Sequence, residues 1–180
     1  MIEEELRGRA KRVLDLFRAR GLKAATAESC TGGLVAAALT EIAGSSDVVD
    51  CGFVTYSNAA KQAMLGVAAA TLKRYGAVSG ETAAAMAAGA LKNCRADIAV
   101  AITGIAGPSG GSREKPVGLV YFAAASRDGR RLARARHFGK IGRRRVRLRS
   151  VAEALHLLEL MASEVMADET QETGRPARTA

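Results

Sequence analysis

A chain of 180 residues is the length of one domain, and at that size folding buries roughly 70% of the surface the unfolded chain exposes. Apolar residues are 48% of the chain but aromatics only 4%, with no Trp, so the interior must be built from Ala, Val, Leu and Ile, as when helices lie on a sheet. The charged start MIEEELRGRAKRVLDLF has no apolar export segment, and no later stretch reaches the roughly 18 uncharged residues needed to span a bilayer, so a soluble, cytoplasmic protein is expected.

Cys30, Cys51 and Cys94 form no C-x-x-C pair and point to a reducing compartment. His137 and His156 stand in no ligand spacing, and no metal is expected. The net charge of +9 is concentrated between Arg127 and Arg149, where eleven Lys or Arg face the single acid Asp128. Such a strip would attract phosphate, or it would form a solvated face.

Glu3 to Arg20 carries apolar residues at helical spacing and should stop at Gly21. Leu22 to Ala27 is expected as a strand, Glu28 to Gly33 as a turn, and Leu34 to Ile42 as an Ala-rich helix. Val48 to Tyr56 follows as a strand. Ser57-Asn58 should cap a helix beginning near Ala59 with Lys61 in its first turn, and Thr71 to Tyr75 is expected to be helical. A long helix over Glu81 to Asn93 leads to a buried strand, Asp97 to Thr103, and to a Gly-rich loop from Gly104 to Ser112. Val117 to Ala125 and Leu132 to Phe138 are expected as a hairpin around Arg127–Arg130. Arg143 to Ala167 has one apolar helical face that runs from Val146 to Val165. The expectation is one domain over residues 1–167, a disordered tail over 168–180, and an α/β fold: a three-layer α/β/α sandwich on a mixed sheet of about five strands. If the strands before the two Gly-rich turns are parallel, both turns share one sheet edge and a ligand sits between them.

Ser29 lies between a strand and a helix, where its hydroxyl and the N–H groups of the turn could meet a carbonyl; equally, it could cap the helix. A serine needs a base, and neither His has a catalytic context. Lys61 can serve if its pKa falls by several units, which desolvation and its place near a helix N-terminus both favour. Alternatively Lys61 stays cationic and supports a Tyr56 phenolate. The Tyr–Lys pairing of short-chain dehydrogenases is a weak competitor, since the spacing here is five and no early dinucleotide loop exists. The loop T-G-I-A-G-P-S-G-G-S could form an anion nest but lacks the ending of an ATP-binding loop. Glu28 and Glu81 read better as caps or surface charges than as general acids, and Cys30 as packing.

Together, T-A-E-S-C-T-G-G (Thr26 to Gly33), A-G-S-S (Ala43 to Ser46), G-F-V-T-Y-S-N-x-x-K (Gly52 to Lys61), G-A-V-S (Gly76 to Ser79) and T-G-I-A-G-P-x-G-G-S-x-x-K-P-V-G (Thr103 to Gly118) resemble the CinA C-terminal domain family. The resemblance runs from about Glu4 to Met166, in a stand-alone form. It implies a nicotinamide-mononucleotide deamidase that uses no metal or organic cofactor and acts as a homodimer. Ser29 would be the nucleophile, with Lys61 and Tyr56 as the proton-handling pair. Thr31, Gly32 and Gly33 would supply N–H donors, and Thr103, Gly104 and the loop through Gly107 to Gly111 would line the nucleotide pocket. Ser45, or Ser46 of the same turn, would add a hydrogen bond near the reacting group, and Arg143 would meet the phosphate. One position departs from the family's F-x-G-D-R-x-x-V-R segment: Gly142 stands at its Asp. The rival reading is a non-catalytic module that binds a nucleotide, or nucleic acid through the Arg127 to Arg149 strip.

Overall fold

The computed structural model describes residues 4–172, with side chains through Ser163. The elements in chain order are α1 (Glu4–Ala19), β1 (Ala24–Glu28), α2 (Leu34–Thr40), a 3-10 turn (Ser45–Asp47) and β2 (Val49–Val54). Then come α3 (Asn58–Leu65), α4 (Ala69–Tyr75), α5 (Gly80–Lys92), β3 (Ile98–Gly104), β4 (Leu119–Ser126), β5 (Arg131–His137) and α6 (Arg143–Glu172). The five strands form one mixed sheet in the order β2-β1-β3-β4-β5. β1 runs parallel to both β2 and β3, whereas β4 is antiparallel to β3 and to β5. Residues 168–172 of the expected tail are therefore the last turn of α6, and residues 173–180 lie outside the described residues. Among the described residues no helix is long and apolar enough to cross a membrane.

The sheet has two unlike faces because side chains alternate along a strand. On β3, Ile98, Val100 and Ile102 point into one core with α1, α2 and α6, while Ala99 and Ala101 point into the other. β4 repeats the pattern, with Val120 and Phe122 on the first side and Ala123 and Ala125 on the second. The small side chains let the Ala-rich helix α5 lie close to the sheet through Ala83, Met86, Ala87 and Ala90. Helix α3 comes equally close to α5: a Cβ on Gly89 would sit 2.0 Å from the Leu65 carbonyl oxygen. Only glycine permits this approach, which seats the helix bearing Lys61.

Since β1, β2 and β3 are parallel, their carboxyl ends at Glu28, Val54 and Gly104 open at one edge of the sheet. The antiparallel register pairs Gly104 with Val120 and Leu119 with His137, so the end of β5 and the start of α6 reach that edge as well. The basic strip is not one face. Arg127 caps α5 by donating to the carbonyls of Leu91, Cys94 and Ala96, and Arg130 pairs with Asp128. Arg134 and Arg136 reach Glu153 on α6, and Arg143 and Arg147 turn towards the carboxyl edge. The hairpin and the following helix thus send these residues in different directions, while Arg144, Arg145 and Arg149 line one cavity with Arg9.

Candidate active site

Ser29 follows the last residue of β1, and its own N–H still donates to the Ile102 carbonyl at 2.9 Å, so the sheet fixes its backbone. The turn after it is braced from inside. Glu28 is fully buried, and its carboxylate accepts from the N–H groups of Gly33 (3.0 Å), Val35 (3.0 Å) and Ala36 (2.9 Å). These are donors at the start of α2 that would otherwise lack partners, and a helix N-terminus favours an anion. Glu28 is thus a structural cap and no general acid. Glu28→Ala would leave these donors without that acceptor in a buried site at about 1–3 kcal/mol each. We expect that variant to lose much of its stability in urea, while Glu81→Ala on the exposed first turn of α5 changes little.

Lys61 enters from α3, whose start is capped by the Ser57 hydroxyl accepting from Ala60 N–H at 3.0 Å. Its side chain is 1% exposed. Nζ stands 2.9 Å from Ser29 Oγ and donates to the Thr55 carbonyl at 2.7 Å. Among the described residues no carboxylate pairs with it. Desolvation without an ion-pair partner therefore holds its pKa below the ordinary 10.5 and favours the neutral amine. A neutral amine can donate one N–H to Thr55 and offer its lone pair to the Ser29 hydroxyl. Beside it, burial pushes the Cys30 thiol up to about 12, which keeps it protonated and inert.

Ser29, Cys30 and Lys61 line a cavity of about 280 Å³ together with Tyr56, Thr103, Gly104, Gly107 and Arg143. Neither His137 nor His156 lines it. The Tyr56 hydroxyl accepts from Arg143 Nη2 at 2.7 Å, and Arg143 Nη1 donates to the Gly107 carbonyl at 3.0 Å. That guanidinium bridges the mouth of the cavity from the end of β2 to the loop after β3. No hydrogen bond joins Tyr56 to Lys61 among the described residues; the hydroxyl within reach of the Lys61 amine is that of Ser29. Gly142, with φ +91°, accepts from Val146 N–H at 3.0 Å at the start of α6 and offers no carboxylate to Arg143.

Three further expectations are corrected. Gly32 N–H donates to the Ser29 carbonyl at 3.1 Å and Gly33 N–H to Glu28, so neither is free to hold an oxyanion. Among the described residues the N–H groups of Cys30 and Thr31 have no backbone acceptor, the Cys30 N–H meeting only its own sulfur, which leaves them as the available donors of the turn. The 3-10 turn containing Ser45 precedes β2, and β2 runs parallel to β1. Ser45 therefore lies at the opposite sheet edge of the same chain, about 20 Å of strand away at ~3.3 Å per residue. Gly111 does not line the cavity either; a Cβ there would sit 2.7 Å from Val117 N, so this glycine lets the loop fold back on the chain entering β4.

Lys115 and Arg147 are positioning groups that the sequence did not single out, and Thr103 makes a positioning contact besides lining the pocket. Lys115 Nζ donates to the carbonyls of Tyr75 (2.6 Å) and Val78 (2.7 Å), and Thr103 Oγ1 donates to that of Ala77 (2.6 Å). The pair pins the Ala77–Val78 wall of the cavity to the loop after β3. Both belong to quoted motifs, which was the available signal. Arg147 donates to the Thr31 carbonyl at 2.7 Å and holds the nucleophile turn from α6. Ala106, Gly107 and Ser109 line the cavity with N–H groups that have no acceptor among the described residues, a nest suited to an anion. No group of three or more His, Cys, Asp or Glu that could hold a metal stands among the described residues.

The chain is similar to known proteins over most of its length. A family model for the CinA C-terminal domain matches residues 7–162. The nicotinamide-nucleotide amidohydrolase PncC of Escherichia coli K12 is 51% identical over 158 residues, covering 88% of this chain and 95% of that protein. The enzyme of the same name from Enterobacter agglomerans is 49% identical over 155 residues, covering 86% and 94%. The crystal structure of the competence/damage inducible protein CihA from Agrobacterium tumefaciens superposes with a TM-score of 0.88 at 54% identity, covering 89% of this chain and 97% of that one. A chain with this sheet order, this cavity and matches over nearly its whole length belongs to the CinA C-terminal domain family.

Proposed function

We propose that the protein is a cytoplasmic amidohydrolase that converts the carboxamide of nicotinamide mononucleotide to the carboxylate, releasing ammonia and nicotinate mononucleotide. The observation that carries the reading is the buried Lys61 amine 2.9 Å from Ser29 Oγ in a cavity bordered by an arginine. In the first half of the reaction the Ser29 hydroxyl gives its proton to Lys61 while Oγ attacks the amide carbon. The negative oxygen is met by the N–H groups of Cys30 and Thr31. Lys61 returns the proton to the departing nitrogen, and ammonia leaves an ester on Ser29. In the second half Lys61 takes a proton from water, the resulting hydroxide opens the ester, and the proton returns to Ser29.

Arg143 and the unpaired N–H groups of the loop after β3 suit the phosphate. The partners of the guanidinium are the Tyr56 hydroxyl and the Gly107 carbonyl, and among the described residues no carboxylate pairs with it. Phosphate therefore competes with no carboxylate for Arg143, and a bidentate arginine–phosphate pair adds geometric specificity as well as energy. A homodimer belongs to the same reading, since Val54 on the edge strand β2 and Met64 on α3 are large apolar side chains left exposed. The nucleic-acid reading is weakened because Arg127, Arg130, Arg134 and Arg136 are taken up by contacts within the chain. Incubating the purified protein with nicotinamide mononucleotide tests the reading: stoichiometric ammonia and nicotinate mononucleotide are expected. Absence of both, in a protein that releases ammonia from another nucleotide amide, would move the substrate elsewhere.

A further inference from the structure

The proposed substrate carries two opposite charges, a phosphate and a quaternary pyridinium ring, and the cavity accounts plainly for only one of them. Arg143 and the loop N–H groups suit the phosphate. No Asp or Glu lines the cavity to receive the cationic ring, and the one buried carboxylate nearby, Glu28, is consumed in capping α2. Tyr56 is the single aromatic residue in the lining. Its ring is 60% exposed, so it contributes little to the core, and its hydroxyl is tied to Arg143 at 2.7 Å. The ring also stands over the nucleophile turn: a Cβ at Gly32 would begin 3.9 Å from Tyr56 Cε2.

We propose that Tyr56 is the residue that selects a cationic ring, presenting its π face to the pyridinium while Arg143 holds the hydroxyl and fixes the ring's orientation. This rests on the reading of the substrate as a pyridinium mononucleotide and gives Tyr56 a recognition role in place of a proton-handling one. A tyrosine face attracts a cation through its quadrupole, and the attraction is larger where water is excluded. The same arrangement gives no such advantage to the 1,4-dihydro form of the mononucleotide, which keeps the carboxamide and the phosphate but has a neutral ring. Discrimination between the oxidised and reduced forms then follows from one side chain.

The test is titration calorimetry with both forms, in a Ser29→Ala background so that neither turns over, followed by the same titrations after adding Tyr56→Leu or Tyr56→Phe. Tyr56→Leu is expected to weaken binding of the oxidised mononucleotide about 2- to 30-fold and to leave the dihydro form unchanged. Tyr56→Phe keeps the ring and is expected to keep most of the preference. In the Ser29-containing enzyme, Tyr56→Phe is expected to raise KM more than it lowers kcat, because it loses the tie to Arg143 and keeps the ring. Equal weakening of both forms by Tyr56→Leu would overturn the proposal, because the ring would then be acting by shape alone. A large fall in kcat with unchanged binding in Tyr56→Phe would overturn it as well and return the hydroxyl to proton transfer. Failure of the Ser29→Ala parent to bind either form would instead remove the substrate reading, and this selection with it.

Discussion

Ser29→Ala is expected to reduce ammonia release on the order of a thousandfold or more, while the melting temperature moves by only a few degrees. The size of the loss follows from the chemistry, since without Oγ no ester forms, and what remains is whatever the cavity contributes by binding and by its N–H donors. The small effect on stability follows from the structure. Ser29 is held through its backbone, by Ile102 on one side and Gly32 on the other, and its hydroxyl contributes a single hydrogen bond to Lys61. One such bond is worth about 1 kcal/mol net, or roughly 2–4 °C for a protein of this size. Cys30 cannot substitute, since burial holds its thiol near 12. Comparison of initial rates and thermal melts for the two proteins checks both halves of the expectation. Full activity in the variant would mean that Lys61 activates water directly and no acyl-enzyme exists.

Lys61→Met is expected to abolish activity to a similar degree and to make the protein more stable. Methionine has nearly the same length without the amine, so the site stays filled and loses only a group whose burial disfavours its charged form. The sign of the pH dependence follows from linkage. Burial lowers the folded-state pKa of Lys61 below the 10.5 of the unfolded chain. Between those two values the unfolded state binds more protons, so stability rises with pH through that window. The destabilisation is fully present below the folded pKa and is gone above about 10.5. At neutral pH the methionine variant should melt higher than the wild type, and the gap should close as the pH approaches 10.5. A variant that melts lower at all pH values would show that the amine contributes more as a hydrogen-bond donor to Thr55 than its burial costs.

The strands and helices were legible because the alternation of Ile98, Val100 and Ile102 with Ala99 and Ala101, and the spacing in α1 and α6, are local patterns. The shared edge followed from one inference, that β1 and β3 are parallel, and Ser29, Lys61 and Arg143 meet there. What the sequence could not show is where backbone hydrogen bonds go. Gly32 and Gly33 look like ideal donors in the string T-G-G, yet the buried carboxylate at Glu28 and the Ser29 carbonyl use their N–H groups. Ser45 belongs to a quoted motif, but a motif records residues and not the strand that separates them. Tyr56 stands five residues before Lys61, which invites a pairing, and only the position of α6 shows that Arg143 reaches its hydroxyl first. The basic strip was ambiguous for a related reason: a hairpin and a helix divide it, so that Arg127 and Arg130 brace the chain while Arg144, Arg145 and Arg149 share one cavity with Arg9.

The pH profile of kcat/KM for nicotinamide mononucleotide tests the Ser29–Lys61 pair most directly, because it reports ionisation in the free enzyme. The rate should rise about tenfold per pH unit while Lys61 sheds its proton, and then level off at a midpoint below 10.5. A profile that is flat or falls across that range would contradict a neutral Lys61 as the base for Ser29.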